Sequence, residues 1–321
     1  MIRVEHVSHR FGSLHVLRDV SFDVPEGEIF GFIGPNGAGK TTTLRMMATL
    51  LEPHEGRVLV DGVDVVERPS EVRRLLGFMP DGFGVYERVT VREYLDFFAA
   101  AYGIDLGARE RTVGAVMELT ELGNLRDRLV SVLSKGMRQR LAIARTLLHD
   151  PKFLLLDEPA NGLDPRARIE MRELIEELQG LGKTIILSSH ILTELSDMCT
   201  SVGILERGQL VAHGPVDDIG QQLEPERGVR LRVLHPPKDV ERRAGATATE
   251  YCDMVFRELP DVLDVEREPD GDLRITFTGG DDKVAEIVSA GVSAGLRIVR
   301  VEPDRNDLER IFLSVTKGEL Q

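Results

Sequence analysis

The stretch that most constrains this chain is Gly34-Pro35-Asn36-Gly37-Ala38-Gly39-Lys40-Thr41, followed by Thr42. An apolar run, Ile29-Phe30-Gly31-Phe32-Ile33, leads into it, and the helix-forming Thr42-Thr43-Leu44-Arg45-Met46-Met47 leads out. A strand before and a helix after are the context that separates a phosphate-binding P-loop from a glycine-rich turn with the same letters. The residue types follow from the chemistry. Glycines let successive backbone N–H groups turn inward around an anion, and a helix start adds its own N–H groups and the positive end of its dipole. A lysine in this place reaches the outer phosphates of a nucleotide, and the threonine hydroxyl can ligate Mg²⁺.

Around that loop the pattern is one of strands alternating with helices. Ile2–Val7 and Val20–Val24 alternate as strands, Pro25-Glu26-Gly27-Glu28 is a turn, and Arg57–Gly62 reads as a strand and hairpin turn. Leu75-Leu76-Gly77-Phe78-Met79-Pro80 reads as a buried strand ending at Asp81. The period then changes. Thr90 and Glu93 form a capping-box pair ahead of a helix carrying Val91, Tyr94, Leu95 and Phe98, and further helices are expected over Arg109–Leu122 and from Ser134. Residues 86–149 are therefore expected to be a mainly helical insert. Phe153-Leu154-Leu155-Leu156 is an all-apolar run, as expected of a central parallel strand, and it ends in Asp157-Glu158-Pro159. Asp164-Pro165 starts a helix that Gly180 and Gly182 end. Thr184–Ser189 is the next strand, with His190 just after it. The alternation implies a parallel α/β sheet.

A polar stretch from Gly220 to Gly228 marks a domain boundary. Beyond it the order of patterns is β-α-β-β-α-β, with strands at Val229–Val233, Val262–Val265, Leu273–Phe277 and Ile298–Val301, around a turn at Pro269-Asp270-Gly271. That order suggests a small ferredoxin-like domain. A loop is expected over His235–Thr249, and one more helix through Leu308, Ile311, Phe312 and Val315. No apolar run approaches the ~20 residues that a bilayer span needs, and the first residues lack the apolar core of a signal peptide. Cys199 and Cys252 form no ligand pattern and read as free thiols of a reducing cytoplasm. The net charge of −14 argues against a general nucleic-acid binder.

A P-loop alone does not choose among kinases, GTPases and ATPases. The later motifs do. Leu133-Ser134-Lys135-Gly136-Met137-Arg138-Gln139-Arg140 resembles the signature sequence of ABC-type ATPases. Leu154–Pro159 looks like their Walker B strand with its glutamate, Asn161-Gly162-Leu163-Asp164 like their D-loop, and His190 stands where their switch histidine belongs. Phe11 falls at the position of their A-loop aromatic; a lone aromatic in that polar context is more often a minor core residue than a ligand platform, although an adenine ring would stack well on it. Over about residues 2–220 the chain is similar to the ATP-binding subunit of an ABC transporter. Its tail resembles the accessory domain of bacterial exporters with separate membrane subunits.

The resemblance implies an α/β P-loop NTPase fold, with a RecA-like core and a helical subdomain, over residues 1–222. An α+β ferredoxin-like domain would follow over 229–321. It implies Mg²⁺-dependent ATP hydrolysis, with Glu158 polarising the attacking water and His190 contacting the γ-phosphate. Thr41 and Asp157 would hold the metal. Ser134 and Gly136 would bind the γ-phosphate of a nucleotide held by a second ATP-binding subunit, so a homodimer is expected. Integral-membrane permease subunits are the other expected partners, on the cytoplasmic face of the membrane. A soluble ABC ATPase of translation or DNA repair is the alternative. Such proteins usually carry two ATPase domains or a long coiled coil, and this chain has neither. Three positions depart from the family pattern. Lys135 replaces a glycine, and either adds charge near the partner's phosphates or is solvated. Met137 replaces a glutamine. Asp81 stands at the Q-loop glutamine, and either approaches the metal or caps the turn Asp81-Gly82-Phe83-Gly84.

Overall fold

Three runs have no polar face: Ile29–Ile33 (β3), Phe153–Asp157 (β7) and Thr184–Ser189 (β8) are buried at every position. Strands of this kind must be covered on both sides, the condition of a parallel sheet. The structure, a computed structural model, describes residues 1–82, 84, 86, 88–190, 198–216, 219, 226–234, 248–268 and 271–304. It divides into two compact units, Met1–Val216 and Asp217–Gln321. The break falls a few residues before the polar stretch that marks it in the sequence. The reason is local: the Val216 N–H donates to the Thr200 carbonyl at 3.3 Å and keeps this residue with the first unit.

In the first unit β3, β7 and β8 join β6 (Leu76–Met79), β9 (Ser201–Glu206) and β10 (Gln209–Pro215) in a six-stranded sheet of order β10-β9-β3-β8-β7-β6. Only the β9–β10 hairpin at one edge is antiparallel. A second sheet, β2-β1-β4-β5, is built from β1 (Ile2–Phe11), β2 (Leu14–Val24), β4 (Glu55–Val60) and β5 (Val63–Asp64). Aromatic rings join the two sheets: Phe22 of β2 stacks on Phe30 of β3 with centroids 5.2 Å apart. Both rings are buried, and each such side chain contributes roughly 1.5–3 kcal/mol through lost contact with water.

Six α-helices lie among the described residues of this unit: α1 (Lys40–Met47), α2 (Pro69–Leu75), α3 (Val91–Ala101), α4 (Leu106–Leu119), α5 (Lys135–Leu147) and α6 (Pro165–Gly180). The capping box ahead of α3 is formed, with Thr90 Oγ1 accepting from the Glu93 N–H and Glu93 Oε2 accepting from the Thr90 N–H. Ser134 caps α5 and Asp164 caps α6. The helix expected over 109–122 starts and ends three residues earlier. Sequence reasoning passed over α2, β9 and β10.

The second unit is described by itself. Its elements are β11 (Glu226–Leu234), α7 (Ala248–Arg257), β12 (Val262–Arg267), β13 (Leu273–Thr278), α8 (Asp281–Ser293) and β14 (Arg297–Asp304), in an antiparallel sheet of order β12-β13-β11-β14. Its core gathers Val229, Leu231, Phe256, Ile275, Phe277 and Ile287. The expected loop before α7 and the expected helix through Leu308–Val315 lie mostly or wholly outside the described residues, as do Pro269 and Asp270.

Asp272 is buried in this unit with compensation. Asp272 accepts from Arg232 Nε at 2.7 Å and from Arg300 Nη2 at 2.9 Å. The hydrogen bond from Arg232, with Arg300 in support, holds its carboxyl below the ordinary range. A carboxylate depressed in this way stabilises the fold above the unfolded value, about 3.9, and the contribution is lost as pH falls through the folded value. Asp272→Asn is expected to loosen the second unit at neutral pH, with the gap to wild type closing as pH falls below the ordinary carboxylate value. Hydrogen exchange of peptides from 262–278, compared at matched pH, checks this. An equal deficit at every pH would remove the two arginines as the cause.

Candidate active site

The site is built by register. Strands β3, β8 and β7 are parallel neighbours, with Ile33 beside Ser189 and Asp157 beside Ser188. The glycine-rich loop after β3, the Asp157–Glu158 pair at the end of β7 and His190 after β8 therefore leave the sheet side by side. Carboxyl ends of parallel strands are where open α/β sheets bind ligands.

The loop needs glycine for reasons visible in place. Gly39 has φ 112°, in the left-handed region, and a Cβ there would lie 2.6 Å from Leu17 Cδ2 and 3.0 Å from the Val16 carbonyl oxygen. A Cβ on Gly34 would meet the Leu205 carbonyl oxygen at 2.3 Å. Helix α1 starts immediately afterwards at Lys40, so the loop delivers the lysine and a helix N-terminus together.

Lys40 is 5% exposed. Its Nζ donates to the carbonyls of Gly34 at 2.6 Å and Pro35 at 3.3 Å, and lies 3.5 Å from Glu158 Oε1. Burial pulls the ammonium below its ordinary value, opposed by Glu158 and Asp157. Thr41 Oγ1 donates to Asp157 Oδ1 at 3.1 Å. Ser188 Oγ donates to the same carboxylate oxygen at 2.7 Å and accepts the Glu158 N–H at 3.0 Å. Glu158 has φ 52°, a left-handed conformation that costs a non-glycine residue roughly 1–2 kcal/mol. Its Oε2 hydrogen-bonds His190 Nδ1 at 2.8 Å.

These groups surround a cleft of about 500 Å³. Of the residues singled out in the sequence, Phe11, Pro35, Asn36, Gly37, Gly39, Lys40, Thr41, Thr42, Asp81, Glu158 and His190 line it. Gly34, Ala38 and Asp157 lie one layer beneath. The Gly34 carbonyl holds Lys40, Ala38 is buried, and Asp157 is reached through Thr41. Phe11 is 52% exposed, so of its two sequence readings the platform fits and the core residue does not. Ser134 and Gly136 stand elsewhere. They line a separate pocket of about 210 Å³ with Asp164, Ala167 and Arg140.

The cleft suits a metal-bound triphosphate. The hydroxyl of Thr41 and the carboxylate of Asp157 are hard oxygen donors beside the lysine. No group of three His, Cys, Asp or Glu side chains gathers among the described residues. A partial donor set of this kind suits Mg²⁺, which takes one or two protein oxygens and completes its shell with phosphates and water.

A family model for ABC transporters matches residues 17–161. The ABC transporter ATP-binding protein NatA of Bacillus subtilis (strain 168) is 39% identical over 246 residues, covering 74% of this chain and 98% of NatA. This chain belongs to the ABC transporter ATP-binding proteins. The bacitracin transport ATP-binding protein BcrA of Bacillus licheniformis is 31% identical over 320 residues, 99% of this chain and 98% of BcrA, so that likeness extends through the second unit. A solved structure of an ATP-binding subunit of an ABC transporter superposes with a TM-score of 0.61 at 31% identity, over 78% of this chain and 97% of that one.

Two site residues of this ATP-binding protein escaped sequence reasoning. Asn161 lines the cleft, and its place in the D-loop-like Asn161-Gly162-Leu163-Asp164 was the available signal. Ser188 had none, since a serine inside a buried strand announces nothing until the neighbouring strand is known. Ser188→Ala removes two hydrogen bonds, each worth roughly 1 kcal/mol. ATP turnover is expected to fall about tenfold, with nucleotide affinity little changed. Steady-state hydrolysis and a binding titration on the same protein check this. Loss of affinity with unchanged turnover would count against an orienting role.

Proposed function

We propose that the chain hydrolyses Mg²⁺-ATP at interfaces between two copies of itself and drives export through separate integral-membrane permease subunits at the cytoplasmic face of the membrane. The separation of the two phosphate-binding halves carries this reading: the Lys40 cleft and the Ser134 pocket are distinct within one chain. A site that needs both is completed by a second copy. No helix among the described residues is long and apolar enough to cross a membrane. That fits a motor whose path is supplied by other subunits. The likeness to BcrA, a bacitracin transport protein, supports an exporter. The relatives named above are transporter subunits, so a role in translation or DNA repair is not carried forward. The order β-α-β-β-α-β, with β11 and β13 central, supports a ferredoxin-like accessory domain that braces or regulates the dimer.

In this reading adenine stacks on the exposed face of Phe11. Backbone N–H groups from Gly34 to Thr42 surround the phosphates. Lys40 exchanges its carbonyl contacts for β- and γ-phosphate oxygens. Thr41 and Asp157 would hold Mg²⁺, whose chemistry there is neutralisation of charge on the phosphate oxygens. Glu158 takes a proton from the water that attacks the γ-phosphorus, while the bond to the β–γ bridging oxygen breaks. His190 keeps Glu158 aimed. Ser134 and Gly136 of the second copy close on the γ-phosphate.

Glu158→Gln removes the proton acceptor and leaves the phosphate cradle intact. ATP is then expected to hold the protein as a dimer, seen by analytical ultracentrifugation with and without nucleotide. A variant that binds ATP and remains monomeric at every concentration would refute the two-copy site.

Asp81 lines the same cleft, and we assign it to the metal side rather than to turn capping. A carboxylate there repels a metal-free triphosphate and favours a hard cation. Asp81→Asn is expected to tighten ATP binding in EDTA and to shrink the gain that Mg²⁺ brings. Affinities unchanged in both conditions, with only a lower melting temperature, would restore the turn-capping role.

A further inference from the structure

Behind the exposed ring of Phe11 lies a pair of histidines with no part in the scheme above. His9 is 4% exposed and meets Phe11 edge-on, with ring centroids 4.7 Å apart at 74°. Its Nδ1 is 2.8 Å from Nδ1 of His54, and its Nε2 is buried without a partner. The backbone of His54 is tied to the same strand, its N–H donating to the Ser8 carbonyl at 3.0 Å. One Nδ1 must donate and the other accept, so the contact needs at least one of the two nitrogens bare.

We propose that His9, braced by His54, is a positioning residue that holds Phe11 in place for the adenine ring, and that protonation of His9 releases the hold. A charged His9 would donate from Nδ1 to a bare Nδ1 of His54 and leave a cation buried with only the Glu52 backbone to oppose the loss of water. A buried cation in that state is driven toward water, and the edge contact on Phe11 goes with it. Burial, and then the nearby His54, hold the His9 imidazole below its ordinary value, while the Glu52 backbone opposes them. The other charged or titratable neighbours are accounted for. Arg10 and His15 face each other across the β1–β2 hairpin, and Glu55 pairs with Ser8 on β4. Lys40, Asp81, Glu158 and His190 line the cleft that Phe11 faces.

The proposal rests on Phe11 carrying the adenine. Its test is therefore a ratio, the ADP dissociation constant of Phe11→Ala over that of wild type, measured calorimetrically on the full chain. Groups in the cleft and on the phosphates titrate in both proteins and cancel. The ratio is expected to fall about threefold or more as pH is lowered in steps from about 7.5 to about 4.5, with the change below the ordinary imidazole value because burial depresses His9. His9→Gln, which keeps a hydrogen-bonding side chain, is expected to hold the ratio flat. A wild-type ratio above one that does not change with pH overturns the proposal and leaves Phe11 as the platform. A ratio of one at the higher pH overturns both. The comparison of Phe11→Ala with wild type decides the matter even if His9→Gln fails to fold.

Discussion

Register between parallel strands fixes every reactive group in the cleft. Lys40 follows β3, Asp157 and Glu158 end β7, and His190 follows β8, and each owes its position to backbone pairing rather than to contacts with the others. The pairing sets Ser188 beside Asp157, and one hydroxyl then binds both members of the acidic pair. A one-residue slip of β8 would turn Ser188 to the opposite face of the sheet and leave both without it. The slip is resisted by shape rather than by polarity, since β3, β7 and β8 are buried at every position and a shifted side chain would meet close-packed neighbours on either face. The hydrophobic core is thus what gives the chemistry its precision.

Burial of charge explains the second feature of the site. A lysine and two carboxylates taken from water cost several kcal/mol each unless paired. Here Lys40 has two carbonyls and Glu158, Asp157 has two hydroxyls, and Glu158 has Lys40 and His190. These contacts are replaceable. A phosphate oxygen offers Lys40 a stronger partner than a carbonyl does, and exchanging one for the other frees Glu158 from its ion pair. Glu158 stands beside the ammonium of Lys40 in the same way. The left-handed backbone at Glu158 is tolerated because the Ser188 hydroxyl accepts its N–H.

What could be read in the residue order divides along the same physical line. The P-loop, the capping box and the apolar strands were legible because each is a local pattern with a local cause. Glycine at 39 answers to its own φ, and Thr90 to its own helix. Ser188 was invisible because its role exists only across a strand pair. The β9–β10 hairpin was passed over because β10 has a mostly exposed, interrupted pattern at a sheet edge. Helix α4 was shifted because its apolar face is weak, with only Val113, Val116 and Met117 buried. The separation of Ser134 from Lys40 within one chain likewise could not be read from spacing alone, since it depends on how α5 packs.

The departure at Lys135 shows how a substitution is absorbed. Its ammonium lies over Gly162, so close that a Cβ there would sit 2.3 Å from Nζ. Gly162 has φ 65°, which disfavours any side chain there, while the exposed lysine end could move aside. The lysine is exposed, and its stem lies beside the turn between β7 and α6. A Cβ on Gly136 would meet Ala167 of α6 at 3.3 Å, so the start of α5 already packs on α6 where Lys135 crosses. The long side chain and the missing one at 162 fit as a pair, and the segment carrying Asn161 into the cleft is held by the segment carrying Ser134. The contact of Gly136 with Ala167 is the tighter link between the two segments, since it joins two helices by backbone and methyl atoms that cannot swing aside.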